Sequence, residues 1–218
     1  FFIYMPFIAP HTPLDAPDHL QAKYADMPDE RGKSRSKMAD NTRFMAKMTG
    51  RDSARPMYAA VVDGMDQSIG KVLDTLDTEG LADTTIVLFF SDNGGAVYAI
   101  GGADNAPLRG GKGDTFEGGI RVVAMVRWPE QIPAGSRVDS IMSIMDVLPT
   151  LAAAAGIEPS THNRLDGRNM VTALTEAESI PREDLLFFIA ESPFKNTVNV
   201  TAFNDEWKLV QRIETGFT

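Results

Sequence analysis

The chain has 218 residues, 43% of them hydrophobic, a formal net charge of −9 and no cysteine. That length and apolar content suit one sizeable core and exclude a disordered chain. The acidic balance argues against nucleic acid as a partner, since phosphate backbones call for a basic face, and the missing cysteine rules out a disulfide framework, a cysteine metal site and a cysteine nucleophile within these residues.

The chain opens FFIYMPF, an apolar and aromatic run over residues 1–5 that Pro6 and the following PHTPLDAP stretch end. This predicts a buried strand opening into a loop. With no initiator Met and no signal-peptide pattern, the expectation is that a further N-terminal part of a longer protein precedes it. Residues 20–56 are polar and weakly patterned, with one helical piece expected around residues 36–49. Between residues 21 and 55 lie nine Lys or Arg against five acids, reversing the average charge. Such a segment is either a solvated surface or a basic rim that attracts an anionic substrate.

From Pro56 the pattern sharpens. Val62, Met65, Ile69, Val72, Leu73 and Leu76 recur at spacings of three and four, which predicts an amphipathic helix with Gly80 placed to end it. TTIVLFF then runs without polar alternation, as in a strand covered on both faces within a parallel sheet. A second strand is expected over roughly 120–128 and a short one near SIMSIM. A helix follows from Asp146, a candidate N-cap, to Gly156, a candidate C′ residue. LLFFI at 185–189 reads as another strand, and VNVTAF with WKLVQRI as a hairpin. The resulting class is α/β, with a mostly parallel central sheet flanked by helices and a small C-terminal β hairpin. Residues 1–190 are assigned to the α/β domain and 191–218 to the start of a β subdomain. No run of about 18 apolar residues suits a membrane span.

Ligands of open α/β sheets sit beyond the carboxyl ends of strands, where TTIVLFF gives way to SDNGG. Asp92 and Asn93 offer one anionic and one neutral oxygen, a donor set that suits a hard divalent cation, although DNGG alone is also common turn chemistry. The weighting shifts with GGADNAPLRGGKGDTFEGG: nine of the 18 glycines fall between Gly94 and Gly119. Such a concentration is expected where backbone bends around something or lies close to it. Arg109 and Lys112 are the cations set among these glycines. His11, between Pro10 and Pro13, leaves the first predicted strand; His19 and His162 read as surface residues.

In this order APHTPL, YAAVVDGMDQSIGKVLDTL, TTIVLFFSDNGG, NAPLRGGKGDTFEGGIR, RWPEQIPAG, MDVLPTLAAAAG and LDG resemble the sulfatase family, the formylglycine-dependent sulfuric ester hydrolases. The resemblance runs from about residue 1 to about residue 210. It implies an alkaline-phosphatase-like sandwich, present in part. It also implies that Asp92 and Asn93 are ligands of an active-site Ca²⁺, with Mg²⁺ the lesser candidate. Lys112 and His11 would contact the sulfate and the leaving oxygen, and Arg109 the substrate or its own loop. A periplasmic or secreted location and a sulfated small molecule or polysaccharide as substrate are implied as well.

The chain departs from the family pattern in one respect. The formylglycine precursor, a Cys or Ser in C/S-x-P-x-R, is absent from these residues, as are two further acidic metal ligands that the family places near its N-terminus. The expectation is therefore a partial sulfatase, truncated at the N-terminus and at the C-terminus, whose isolated chain is inactive. Two rival readings stand beside it. One is a phosphonate monoester hydrolase or phosphatase of the same superfamily. Its two-metal members place a His where this chain has Asn93, which argues here for one hard cation. The other is a non-catalytic glycan-binding module that uses the basic segment.

Overall fold

A computed structural model describes residues 1–28, 55–97, 102–158, 164–192 and 197–214. The helical piece expected at 36–49, most of the basic segment and His162 lie outside them. The periodic stripe after Pro56 forms a helix. Following the short helix α1 (Asp18–Lys23), helix α2 runs over Arg55–Thr78, with Val62, Met65, Ile69, Val72, Leu73 and Leu76 half-buried along one side. Leu20 of α1 is buried where α2 carries Gly64, since a Cβ there would stand 3.3 Å from the leucine Cδ1. Beside this contact Asp63 accepts from Lys23 Nζ at 2.6 Å and from Tyr24 Oη at 3.1 Å.

Gly80 ends α2 as its position suggested. It adopts φ +65°, its N–H donates to Asp77 O, and the Leu81 N–H donates to Leu76 O. These two bonds form a Schellman closure, which needs the left-handed conformation that glycine adopts without a Cβ penalty. The same pair of bonds closes α4 (Val147–Ala154) at Gly156, from Gly156 N to Ala153 O and from Ile157 N to Ala152 O.

Strand β1 (Val87–Phe90) pairs with β2 (Ala124–Arg127), with Val87 opposite Arg127 and Phe90 opposite Ala124. The pair is antiparallel and β1 is half-buried, so the parallel neighbour expected for TTIVLFF is not among the described strands. An apolar run without alternation signals shielding of both faces but carries no information on strand direction. Strand β2 is also shorter than the run 120–128, because Glu117–Ile120 forms a helical turn, α3. Arg127 bonds Asp77 at 2.7 Å, fixing the sheet to the end of α2.

Two other expectations are corrected. Residues 1–8 form no strand and are solvent-exposed, Phe1 to 82%. No described segment offers their backbone groups a ladder, and an apolar run becomes a strand only with such a partner. SIMSIM is not a strand either, since Ile144–Asp146 is a 3₁₀ turn. Ser143 and Asp146 form a reciprocal capping box there, giving the backbone side-chain partners in place of a ladder.

Asp146 stands at the N-cap position of α4, but its carboxylate does not cap that helix. It is fully buried and accepts from Ser143 N at 2.7 Å, from Arg168 N at 2.8 Å and from the buried Arg182 guanidinium. Arg182 also donates from Nε to Ile141 O at 3.2 Å, and its backbone N–H donates to the Asp205 carboxylate. One ion pair thereby joins α4, the Gly167 loop that precedes helix α5 (Val171–Glu176), and the C-terminal sheet. Gly167 is required at that junction, since a Cβ would lie 1.9 Å from Met145 O.

That sheet has the order β3 (Leu186–Ser192), β4 (Thr197–Phe203) and β5 (Lys208–Glu214), antiparallel throughout. The expected hairpin is β4–β5, turned by Asn204, whose Oδ1 accepts from Glu206 N and Trp207 N. Among the described residues no helix is long and apolar enough to cross a membrane.

Two predictions follow from these contacts. Asp146→Ala strands the buried Arg182 charge and should destabilise the chain by about 3–5 kcal/mol, read as a lower denaturant midpoint. Replacing both residues by apolar ones should recover much of that loss. For Asp63, the hydrogen bond from Lys23, with those from Gln67 and Tyr24, holds the carboxyl below its ordinary value of 3.8. A depressed carboxylate stabilises the fold above the ordinary value, and the contribution disappears as pH falls through the folded value. An NMR titration should place the Asp63 midpoint below 3.8 and return it toward 3.8 in Lys23→Met.

Candidate active site

The two glycine-rich stretches touch through their backbones. Gly94 N donates to Gly119 O at 2.9 Å, and a Cβ on Gly94 would lie 1.7 Å from Gly118 O. Gly118 N in turn donates to Arg109 O at 2.7 Å, and a Cβ on Gly118 would lie 2.2 Å from Gly110 O. Main chain approaches main chain so closely that no side chain fits between, which explains why glycines cluster here.

The turn after β1 is also tied to the loop that carries Lys112. Gly95 O accepts from Lys112 N at 3.1 Å and from Asn105 Nδ2 at 3.0 Å. Asn105 Oδ1 accepts from Gly95 N at 3.0 Å, and its Nδ2 also reaches Gly110 O at 3.1 Å. Within the loop Asp114 accepts from Gly111 N, and Gly110 and Gly113 take φ of +83° and +86°. The structure thus brings the backbone of Lys112 to within one hydrogen bond of Gly95, just beyond Asp92 and Asn93.

The predicted side chains stand in different settings. Asp92 is exposed and makes no hydrogen bond or ion pair among the described residues. Asn93 is half-buried; its Nδ2 donates to Gly94 O at 3.0 Å, while its own backbone carbonyl accepts from Ser91 Oγ at 2.8 Å. Lys112 is half-buried with its ammonium in no ion pair among the described residues, whereas Arg109 stacks on Phe116 of its own loop, 3.8 Å from the ring centroid. His11 is exposed and bonds within its own loop, Nδ1 to Thr12 O at 2.7 Å and N–H to Ile8 O at 2.8 Å. None of its described hydrogen bonds reaches the glycine loops.

Sequence reading missed Asn105, although it is the one carboxamide between the two glycine clusters, and an amide that donates and accepts at once suits a bridge between loops. It also missed Glu117, which opens α3 and accepts from Lys208 Nζ at 2.6 Å. No local signal marks a contact between residues so far apart in the chain.

Asp92 and Asn93 present oxygen donors of the kind hard cations take, so their chemistry fits such an ion. By themselves they would make at most part of a ligand set, since no group of three or more His, Cys, Asp or Glu among the described residues is arranged to hold a metal.

Comparison with known proteins identifies the family. A family model described as Sulfatase matches residues 1–157. Steryl-sulfatase of Rattus norvegicus is 42% identical over 136 residues, covering 60% of this chain and 24% of that protein. N-acetylgalactosamine-6-sulfatase of Homo sapiens is 39% identical over 132 residues, 60% of this chain and 25% of that protein. The crystal structure of Ps i-CgsB in complex with k-i-k-neocarrahexaose superposes with a TM-score of 0.73 at 30% identity, covering 94% of this chain and 41% of that one.

The chain belongs to the sulfatase family, as its motifs suggested, and has the α/β fold of that family. It spans about a quarter of the length of the curated relatives it matches.

The glycine contacts can be tested directly. Gly94→Ala should destabilise the fold by about 1–3 kcal/mol or more, since the added methyl meets fixed backbone rather than a movable side chain. Asn105→Ala removes the side-chain partner of the Gly95 N–H and of the Gly110 carbonyl and should cost about 1–3 kcal/mol. Thermal unfolding of the two variants measures both.

Proposed function

We propose that, in a protein of family length, this chain contributes the Asp92, Asn93 and Lys112 portion of a site that hydrolyses sulfate monoesters. The observation that supports the reading is the backbone bond from Lys112 to Gly95, braced by the Gly94–Gly119 contact, which ties the loop carrying Lys112 to the turn that follows Asp92 and Asn93. A sulfate ester needs its equatorial oxygens neutralised and its departing oxygen stabilised as the S–O bond breaks. Lys112 supplies positive charge to those oxygens and donates a proton to the leaving oxygen, with His11 as a second donor. Asp92 and Asn93 supply oxygen ligands for Ca²⁺, which when bound draws further negative charge from the sulfate. Arg109, stacked on Phe116, anchors the loop.

The nucleophile of this reading is a formylglycine contributed by residues outside this sequence. Sulfated polysaccharide is the favoured substrate class, because Ps i-CgsB, solved in complex with k-i-k-neocarrahexaose, matches 94% of this chain at 30% identity with a TM-score of 0.73. A periplasmic or secreted setting accompanies that choice.

Hydrolysis of p-nitrophenyl sulfate, with and without Ca²⁺, tests the proposal. The 218-residue chain alone should stay at background, and turnover well above it would show that the nucleophile has been wrongly placed elsewhere. In a form carrying a C/S-x-P-x-R segment, Lys112→Ala should lower kcat by about 10²–10³. Faster turnover of an aryl phosphonate than of the aryl sulfate would replace the sulfatase reading with the phosphonate one.

A further inference from the structure

Lys208 opens β5, yet its ammonium lies 2.6 Å from Glu117 Oε1, a contact spanning 91 residues. We infer that Lys208, acting through Glu117, is a positioning residue for Lys112: the C-terminal sheet latches the glycine-rich loop. Glu117 begins the α3 turn, and the next two residues are the ones that clamp the loops, Gly118 N to Arg109 O and Gly119 O from Gly94 N. Holding Glu117 therefore holds both the Lys112 loop and the turn that bears Asp92 and Asn93.

The latch is anchored at both ends. Lys208 pairs with Phe203 across the hairpin, lies 5.1 Å from that ring's centroid, and its side chain is only 22% exposed. On the other side, the only other cation that pairs with Glu117 among the described residues is Arg121, at 3.9 Å and four residues on in the chain, so it cannot tie the loop to another element. With its charge matched by Glu117, Lys208 is not a second cation for an anionic ligand. A partly shielded, charge-assisted hydrogen bond holds its geometry better than a fully solvated pair.

The role in catalysis rests on the sulfatase reading of Lys112, whereas the latch itself does not. Amide hydrogen exchange of the full 218-residue chain without ligand tests the latch. Lys208→Met and Glu117→Gln should each speed exchange at Gly94, Gly118 and Gly119 by roughly three- to tenfold while α2 is unchanged, and Lys208→Arg should restore protection. Unchanged exchange at the three glycines, an equal acceleration throughout α2, or failure of Lys208→Arg to restore protection would overturn it. Inorganic sulfate then separates the two ideas. It should slow exchange at the Lys112 amide in the wild type, and Lys208→Met should need several-fold more sulfate for the same effect. No response to sulfate in the wild type, with the ligand-free differences intact, would sink the reading of Lys112 and leave the latch standing.

Discussion

Everything at the candidate site depends on the absence of side chains where Gly94, Gly118 and Gly119 meet. Peptide groups there approach closely enough for direct hydrogen bonds, and a single Cβ on Gly94 would overlap a carbonyl oxygen. Fixing flexible glycines is entropically costly, since they lose more backbone freedom on ordering than any other residue. That cost is offset by bonds that each join two segments, and by Asn105, which bridges Gly95 and Gly110 with one carboxamide. The result is a braced main-chain platform that carries the candidate residues Asp92, Asn93 and Lys112.

A second, differently built junction lies at Asp146 and Arg182. Asp146 and Arg182 are both buried, and each bonds backbone groups as well as the other. Buried charges are tolerated only when paired and hydrogen-bonded in this way. Because the partners come from the Ser143 turn, the Gly167 loop and the C-terminal sheet, the pair sets where β3, β4 and β5 stand. From that sheet Lys208 reaches back to Glu117. The glycine platform and the buried ion pair are therefore linked through one ammonium group.

Local features of the fold were legible in the sequence. The α2 stripe, the two glycine helix ends and the β4–β5 hairpin each follow from residues within one or two turns of each other. Features that depend on distant partners were not. The apolar residues 1–5 promise burial, but strand formation needs a neighbour that the local pattern does not name. The run at β1 indicates shielding, yet the antiparallel direction of β2 arises from the path of the intervening chain. At SIMSIM a short strand was expected, but the Ser143 and Asp146 side chains bond the backbone and turn it. Within the site, Asp92, Asn93 and Lys112 could be singled out because they stand among glycines at a strand exit. Asn105 and Glu117 act through contacts that no spacing rule reveals.

Sequence separation also bears on how such a chain is made. A ribosome releases Glu117 well before Lys208, so the tie between them cannot exist while the intervening residues are still being added. The two helix-ending glycine closures carry no such delay, because all their atoms are delivered together. The segment bearing Lys112 thus spends part of biosynthesis without one of its restraints, and it gains that restraint only once the β4–β5 hairpin has emerged.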